Sequence, residues 1–286
     1  MTKNAMSETR GQTESPEAKS PSPLTYNSYL KVTELKELQI CQSDPAHHDE
    51  TLFIIIHQAY ELWFKLILHE LDTVKELLGK DNVRRATFYM RRVVEVFKLL
   101  VHQIHILETM SPKDFLGFRY NLNPASGFQS SQFREIEFVS GLKDRRMLEH
   151  FRQDPAAYAN LLRRFEEPSL QEAFYDLLRR RGFRLRFADE GAPEAEVQSC
   201  EDERVRELLK LYDDQQTYGD LHDLAELLVD IDELIFLWRT HHVTVVERMI
   251  GFKRGTGGSE GVGYLRTTLT KRCFPDLWKL RTVMEL

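Results

Sequence analysis

The chain has 286 residues, 42% of them apolar and 29% charged, an ordinary balance for a globular protein of one large domain. A formal net charge of -6 argues against a nucleic-acid polyanion as the main partner, and no uninterrupted apolar run approaches the roughly 18 residues of a bilayer span. Three widely separated cysteines, Cys41, Cys200 and Cys273, form no C-x-x-C pair, which excludes a zinc knuckle or dithiol redox site and fits a reducing, cytoplasmic setting.

Residues 1–22 are rich in Ser, Thr, Glu, Lys and Pro and lack an apolar signal segment, so a disordered tail is expected there, followed by a single helical domain over 23–286. Ordered structure begins at 24–30 with Tyr26, Tyr29 and Leu30, side chains that pack on the chain's own core or on a neighbouring subunit. Apolar residues at 53, 56, 60, 64, 67, 68 and 71, with Gln58, Glu61, Lys65, His69, Asp72 and Glu76 between them, predict an amphipathic helix over 49–78. His47-His-Asp-Glu50 just before it looks like a metal cluster but reads better as a helix start, where acidic residues favour the positive end of the helix dipole.

Gly79 separates this helix from a second over 83–110, and Ser111-Pro112 starts a short third carrying Phe115, Phe118 and Arg119. After the turn at 123–127 another helix runs to about 139, and charged helical stretches with a mostly solvated face continue to 181. Residues 182–200, with Gly191 and Pro193, break the helical pattern and are expected to form a surface loop. The last long helix, over 221–250, has the strongest periodicity: Leu224, Leu228, Ile231, Ile235, Trp238, His242, Val245 and Met249 alternate spacings of four and three. No succession of strands is legible, and the fold class is all-α, a long-helix bundle with shorter connecting helices.

Four features carry chemistry. His242 lies on an otherwise apolar seam, where a hydrogen-bonded core histidine and a neutral imidazole ligand to iron are both at home, while His241 is turned about 100° away. His57 stands among Phe53, Tyr60 and Phe64 on the first long helix, so two histidines on different helices border apolar surfaces. Arg119 sits beside Phe115, Phe118 and Tyr120, a setting for a bidentate carboxylate contact or an ordinary ion pair. Residues 251–263 hold six of the fourteen glycines but neither nucleotide-binding fingerprint, which leaves a lid with Thr256 at its centre or a glycine-rich helix end and turn.

Phe53-Ile-Ile-Ile-His-Gln-Ala-Tyr-Glu-Leu-Trp63, Pro124-Ala-Ser-Gly-Phe-Gln-Ser130 and Gly255-Thr-Gly-Gly-Ser259, in that order, resemble the tryptophan 2,3-dioxygenases, and the similarity runs over about 26–281, weakest between 145 and 206. The resemblance implies a homotetramer with one noncovalent haem b per subunit, ferrous when active, that adds dioxygen across the indole C2–C3 bond of L-tryptophan to give N-formyl-L-kynurenine. It implies His242 as the axial ligand of the haem iron, Gly255 beside the cofactor, and His57 as the distal group on the indole nitrogen. Arg119 and Thr256 would bind the amino-acid end, Phe53 and Phe115 would line the indole pocket, and Tyr26, Tyr29 and Leu30 would come from a segment exchanged with a neighbouring subunit. Position 115 departs from bacterial members that carry tyrosine there, so Phe115 is expected to act by packing alone. A noncatalytic haem-binding sensor built on the same helices is the alternative reading.

Overall fold

The protein is described here by a computed structural model covering residues 23–253, 255 and 261–285. The described residues divide into two units, one ending at Ile40 and the other beginning at Cys41. In the first, α1 (Tyr26–Leu30) starts on Thr25, whose side chain accepts from the Ser28 amide in a reciprocal capping box. Lys31, in the left-handed region at φ 54°, ends it and leads into α2 (Val32–Lys36).

The second unit is built on three long helices. His47 caps α3 (His48–Gly79), a short reversal through Asp81 at φ 57° leads to α4 (Val83–Leu107), and Asn82 caps that helix by accepting from the Arg85 amide. Between them and the last long helix lie α5 (Pro112–Arg119), α6 (Ser131–Ser140), α7 (Pro155–Glu166), α8 (Leu170–Arg180), α9 (Glu194–Leu208) and α10 (Lys210–Asp213). Then come α11 (Gln215–Ile250), α12 (Val262–Thr267) and α13 (Pro275–Val283), and no strand occurs among the described residues.

Both α3 and α11 pack against α4, which is buried along Met90, Val93, Phe97, Leu100 and Ile104. Fully buried Ile67, Leu71 and Val74 of α3 and Leu224, Leu228 and Ile231 of α11 close this core, and each apolar side chain removed from water contributes about 1.5–3 kcal/mol. By length and composition α3 could cross a membrane. Its apolar face is instead the floor of the bundle, and its polar residues are committed within the protein: Glu70 pairs with Arg92 and Asp72 with Arg164. A smaller core of Phe138, Met147, Leu148, Phe151 and Leu161 holds α6 to α7.

Two sequence expectations change. The loop over 182–200 ends at Pro193, because Glu194 and Glu196 occupy the first turn of α9 and favour its positive end. The pattern was hard to see because α9 buries only Cys200, Arg204, Val205 and Leu208, one narrow stripe. The last helix begins at Gln215 rather than 221, with Asp214 as its cap and a kink at Tyr218. The charged stretch before 181 keeps its mostly solvated face, but Arg164 is buried and donates to Asp72 Oδ2 at 2.7 Å and Glu135 Oε2 at 3.2 Å.

Buried Asp232 ties the carboxyl-terminal segment to α11. It accepts from the Cys273 amide at 2.9 Å, the Phe274 amide at 3.1 Å and Trp278 Nε1 at 2.9 Å. Replacing it by alanine strands three donors, so Asp232→Ala is expected to lower unfolding free energy by about 3 kcal/mol or more in denaturant titrations. Removing the exposed Arg163–Glu167 pair is expected to cost no more than about 1 kcal/mol.

Candidate functional site

His57 and Phe53 stand one turn apart on α3, with ring centroids 4.1 Å apart. His57 Nδ1 lies 2.7 Å from the Phe53 carbonyl oxygen. A carbonyl only accepts, so Nδ1 carries the proton and, in the neutral ring, Nε2 keeps its lone pair. Phe53 stacks on Phe115 at 5.6 Å and meets Phe118 edge-on at 5.7 Å. These last two belong to α5, which packs against both α3 and α11 and ends on buried Arg119.

On α11 the Trp238 ring is parallel to that of His242, 5.2 Å away and 9° from coplanar. Trp238 in turn contacts Phe133 at 4.5 Å, Tyr60 at 6.1 Å and Phe64 at 6.4 Å, so α3 and α11 meet through bulky rings. Trp238 and His242 are only partly buried, unlike the other six seam residues. Desolvation first, and the charge His57 would carry second, together push the His242 imidazole down to about 4. His57 is lowered as well, by burial first, against the opposing pull of the Phe53 carbonyl and Glu61. The two imidazoles, on separate helices, therefore lie within electrostatic reach of each other, and both are neutral at pH 7.

One turn beyond His57, Glu61 latches α3 to the start of α6. Ser130 Oγ donates to its Oε1 at 2.7 Å, and Gln132 Nε2 donates to its Oε2 at 2.8 Å and to its backbone oxygen at 3.0 Å. On the next turns Arg134 and Arg239 both pair with Glu137, and Arg239 Nη1 also donates to the Thr268 carbonyl at 3.2 Å. Arg134 Nε is buried with no hydrogen-bond partner among the described residues.

Thus His57, Phe53 and Phe115 assemble at one site, Arg119 ends the same short helix as Phe115, and His242 stacks on Trp238 of α11. Gly255 is partly buried, and nearby Gly261 has φ 64° with space for a Cβ only 2.8 Å from the Lys253 carbonyl oxygen, so no larger residue fits there. Thr256 lies outside the described residues. Tyr26 (74%), Tyr29 (70%) and Leu30 (46%) are exposed on α1, within the first unit. Trp238 and Glu61 were the members not singled out from sequence: each lies four positions from one of the histidines, a spacing that signals a shared face but not a contact.

The described residues form an all-α bundle in which α3 and α11 each carry a neutral histidine and a short helix between them in sequence carries aromatic residues and a buried arginine, the makings of a helical-bundle enzyme site. A family profile described as tryptophan 2,3-dioxygenase matches residues 11–183 and 201–284, leaving out the first ten residues, the last two, and a stretch that runs from the connection before α9 into its first half. Proteins named tryptophan 2,3-dioxygenase from Nocardioides sp., Herpetosiphon aurantiacus and Caulobacter vibrioides are 47%, 44% and 41% identical to the chain over 264, 258 and 266 residues. These alignments cover 91%, 90% and 91% of this chain and 94%, 97% and 98% of the relatives. The chain belongs to the tryptophan 2,3-dioxygenase family.

The depressed His242 value has a consequence for stability. An unfolded histidine titrates near 6.5, so between that value and about 4 the unfolded chain binds the extra proton. The neutral ring's contribution is complete above about pH 6.5 and is lost as pH falls toward 4, by at most about 3 kcal/mol. In ligand-free protein, the stability difference from His242→Gln is expected to shift with pH across that window in denaturant titrations. A pH-independent difference would count against a buried neutral ring.

Proposed function

We propose that the chain is a haem-dependent dioxygenase converting L-tryptophan and dioxygen to N-formyl-L-kynurenine, the first step of tryptophan breakdown. The supporting observation is the pair of neutral imidazoles on α3 and α11, the first beside an aromatic cluster whose short helix α5 ends on a buried arginine. The residues fit haem: a neutral His242 with its ring plane set by Trp238 is the donor an axial ligand requires, and the unpaired Nε of Arg134 suits a propionate carboxylate. When bound, haem iron supplies the dioxygen chemistry that no side chain here can perform.

The chain's own groups bind and orient the substrate. His57, held as the Nδ1–H tautomer by the Phe53 carbonyl, offers Nε2 as acceptor for the indole N–H. Phe53 and Phe115 flank the indole and keep water out, and Phe115 contributes no hydroxyl. Arg119 binds the carboxylate as a planar fork, and Thr256 contacts the ammonium and carboxylate end. Gly255 lies beside the cofactor. Tyr26, Tyr29 and Leu30 of a neighbouring subunit complete the site in a homotetramer, with one haem b per subunit, in the cytoplasm.

Reduced protein given air and L-tryptophan is expected to form N-formylkynurenine; a haem spectrum without product would replace the enzyme by a sensor. His242→Ala is expected to lose haem or activity, whereas His57→Ala keeps haem and binds L-tryptophan less well. A normal ferrous spectrum in His242→Ala would overturn the axial assignment.

Arg119→Ala is expected to raise KM for L-tryptophan by about 10–100-fold, from loss of a charged hydrogen bond. Tryptamine, lacking the carboxylate, should be turned over poorly by the parent protein, and rapid turnover would contradict the role of Arg119. Because His57 titrates below 6.5, L-tryptophan affinity should hold down to that pH and fall below it as Nε2 takes a proton. Binding titrations over a pH series check this.

A further inference from the structure

The segment before α3 does more than start a helix. Fully buried Glu50 accepts from the Gln42 amide at 2.6 Å, the Ser43 amide at 3.1 Å and the Ser43 hydroxyl. Ser43 Oγ in turn accepts from the His47 amide at 2.8 Å. His47 Nδ1 accepts from the Asp49 amide at 3.2 Å, so its ring is fixed at the helix start from both sides. The ring then reaches α5, lying 5.3 Å from the Phe118 ring and against Gly117.

Gly117 is where that contact is closest. A Cβ built there would stand 3.0 Å from His47 Nε2 and 3.1 Å from Cδ2, tighter than side chains normally pack. Gly117 is inside α5, where glycine weakens a helix, and its backbone angle does not require glycine. The close approach of the imidazole accounts for its presence. Phe118 and Arg119 follow immediately, and Phe115 lies two residues before.

We propose that His47 is a positioning residue: anchored through Ser43 and Glu50, its ring sets the approach of α5 to α3 through Gly117 and thereby the placement of Arg119 for a carboxylate. This rests on the reading of Arg119 as the carboxylate-binding residue. His47 itself touches no substrate in this scheme. It acts on affinity chiefly at the amino-acid end, and His242, on a separate helix, should be little affected.

The test uses the haem-loaded protein and compares Gly117→Ala, His47→Ser and the double variant, serine keeping a helix-capping oxygen while removing the ring. L-Tryptophan and 3-methylindole are titrated by their effect on the haem absorbance, alongside KM and kcat. Gly117→Ala is expected to weaken L-tryptophan by about tenfold, leaving 3-methylindole affinity, haem content and kcat within about threefold. In the double variant the clash is gone, so adding alanine to His47→Ser should cost less than about threefold, a non-additive pair. Additive effects, an unaffected Gly117→Ala, or equal losses for both ligands would overturn the proposal. Arg119→Ala serves as the control: if it leaves the preference for L-tryptophan over 3-methylindole unchanged, the reading of Arg119 itself has failed. A normal Arg119→Ala response with additive effects at 47 and 117 defeats the positioning role alone.

Discussion

The packing of both α3 and α11 against α4 is the constraint on which the site depends. Direct contact between the two outer helices is made by large rings, Tyr60 and Phe64 from one side and Trp238 from the other. Such side chains hold helices apart while sealing the space between them from water. His57 and His242 then sit at the border of that space, each desolvated enough to remain neutral. Neutral imidazole is the state that can ligate iron or accept a proton from an N–H donor.

Around this pair the protein uses buried polar latches more than additional apolar area. Glu61 holds α3 to α6, Glu137 joins Arg134 and Arg239, Asp232 gathers the segment before α13, and Glu50 ties down the turn before α3. Each carboxylate is satisfied by several donors, which is what makes burying its charge tolerable. The arrangement also makes geometry specific, since a helix that slid by a residue would strand several donors at once.

The fold was largely legible from the residues. Period-3.6 patterns located α3, α4 and the greater part of α11, and Ser111-Pro112 marked the start of α5. Legibility failed where a helix buries little: α9 hides four residues in fifteen, and the first turns of α11 precede its apolar seam. The motif at 47–50 was read as a helix start, and His47 does cap α3, but Glu50 is fully buried instead of merely favouring the positive end. Nothing in a linear pattern says that an acidic residue in a first turn will fold back onto the loop before it.

The sequence by itself determined that this is a helical protein, that His242 lies on an apolar seam and His57 beside aromatic residues, and that the chain resembles tryptophan 2,3-dioxygenases. Those are properties of one helix at a time, or of short motifs, and periodicity is sufficient to reveal them. Only the tertiary structure decided that the two histidines come within electrostatic reach, that Trp238 stacks on one and the Phe53 carbonyl orients the other, and that α5 carries Arg119 to the same place. These depend on how far apart packed helices sit and which rings fill the gap, distances set by many side chains together and encoded in no single motif.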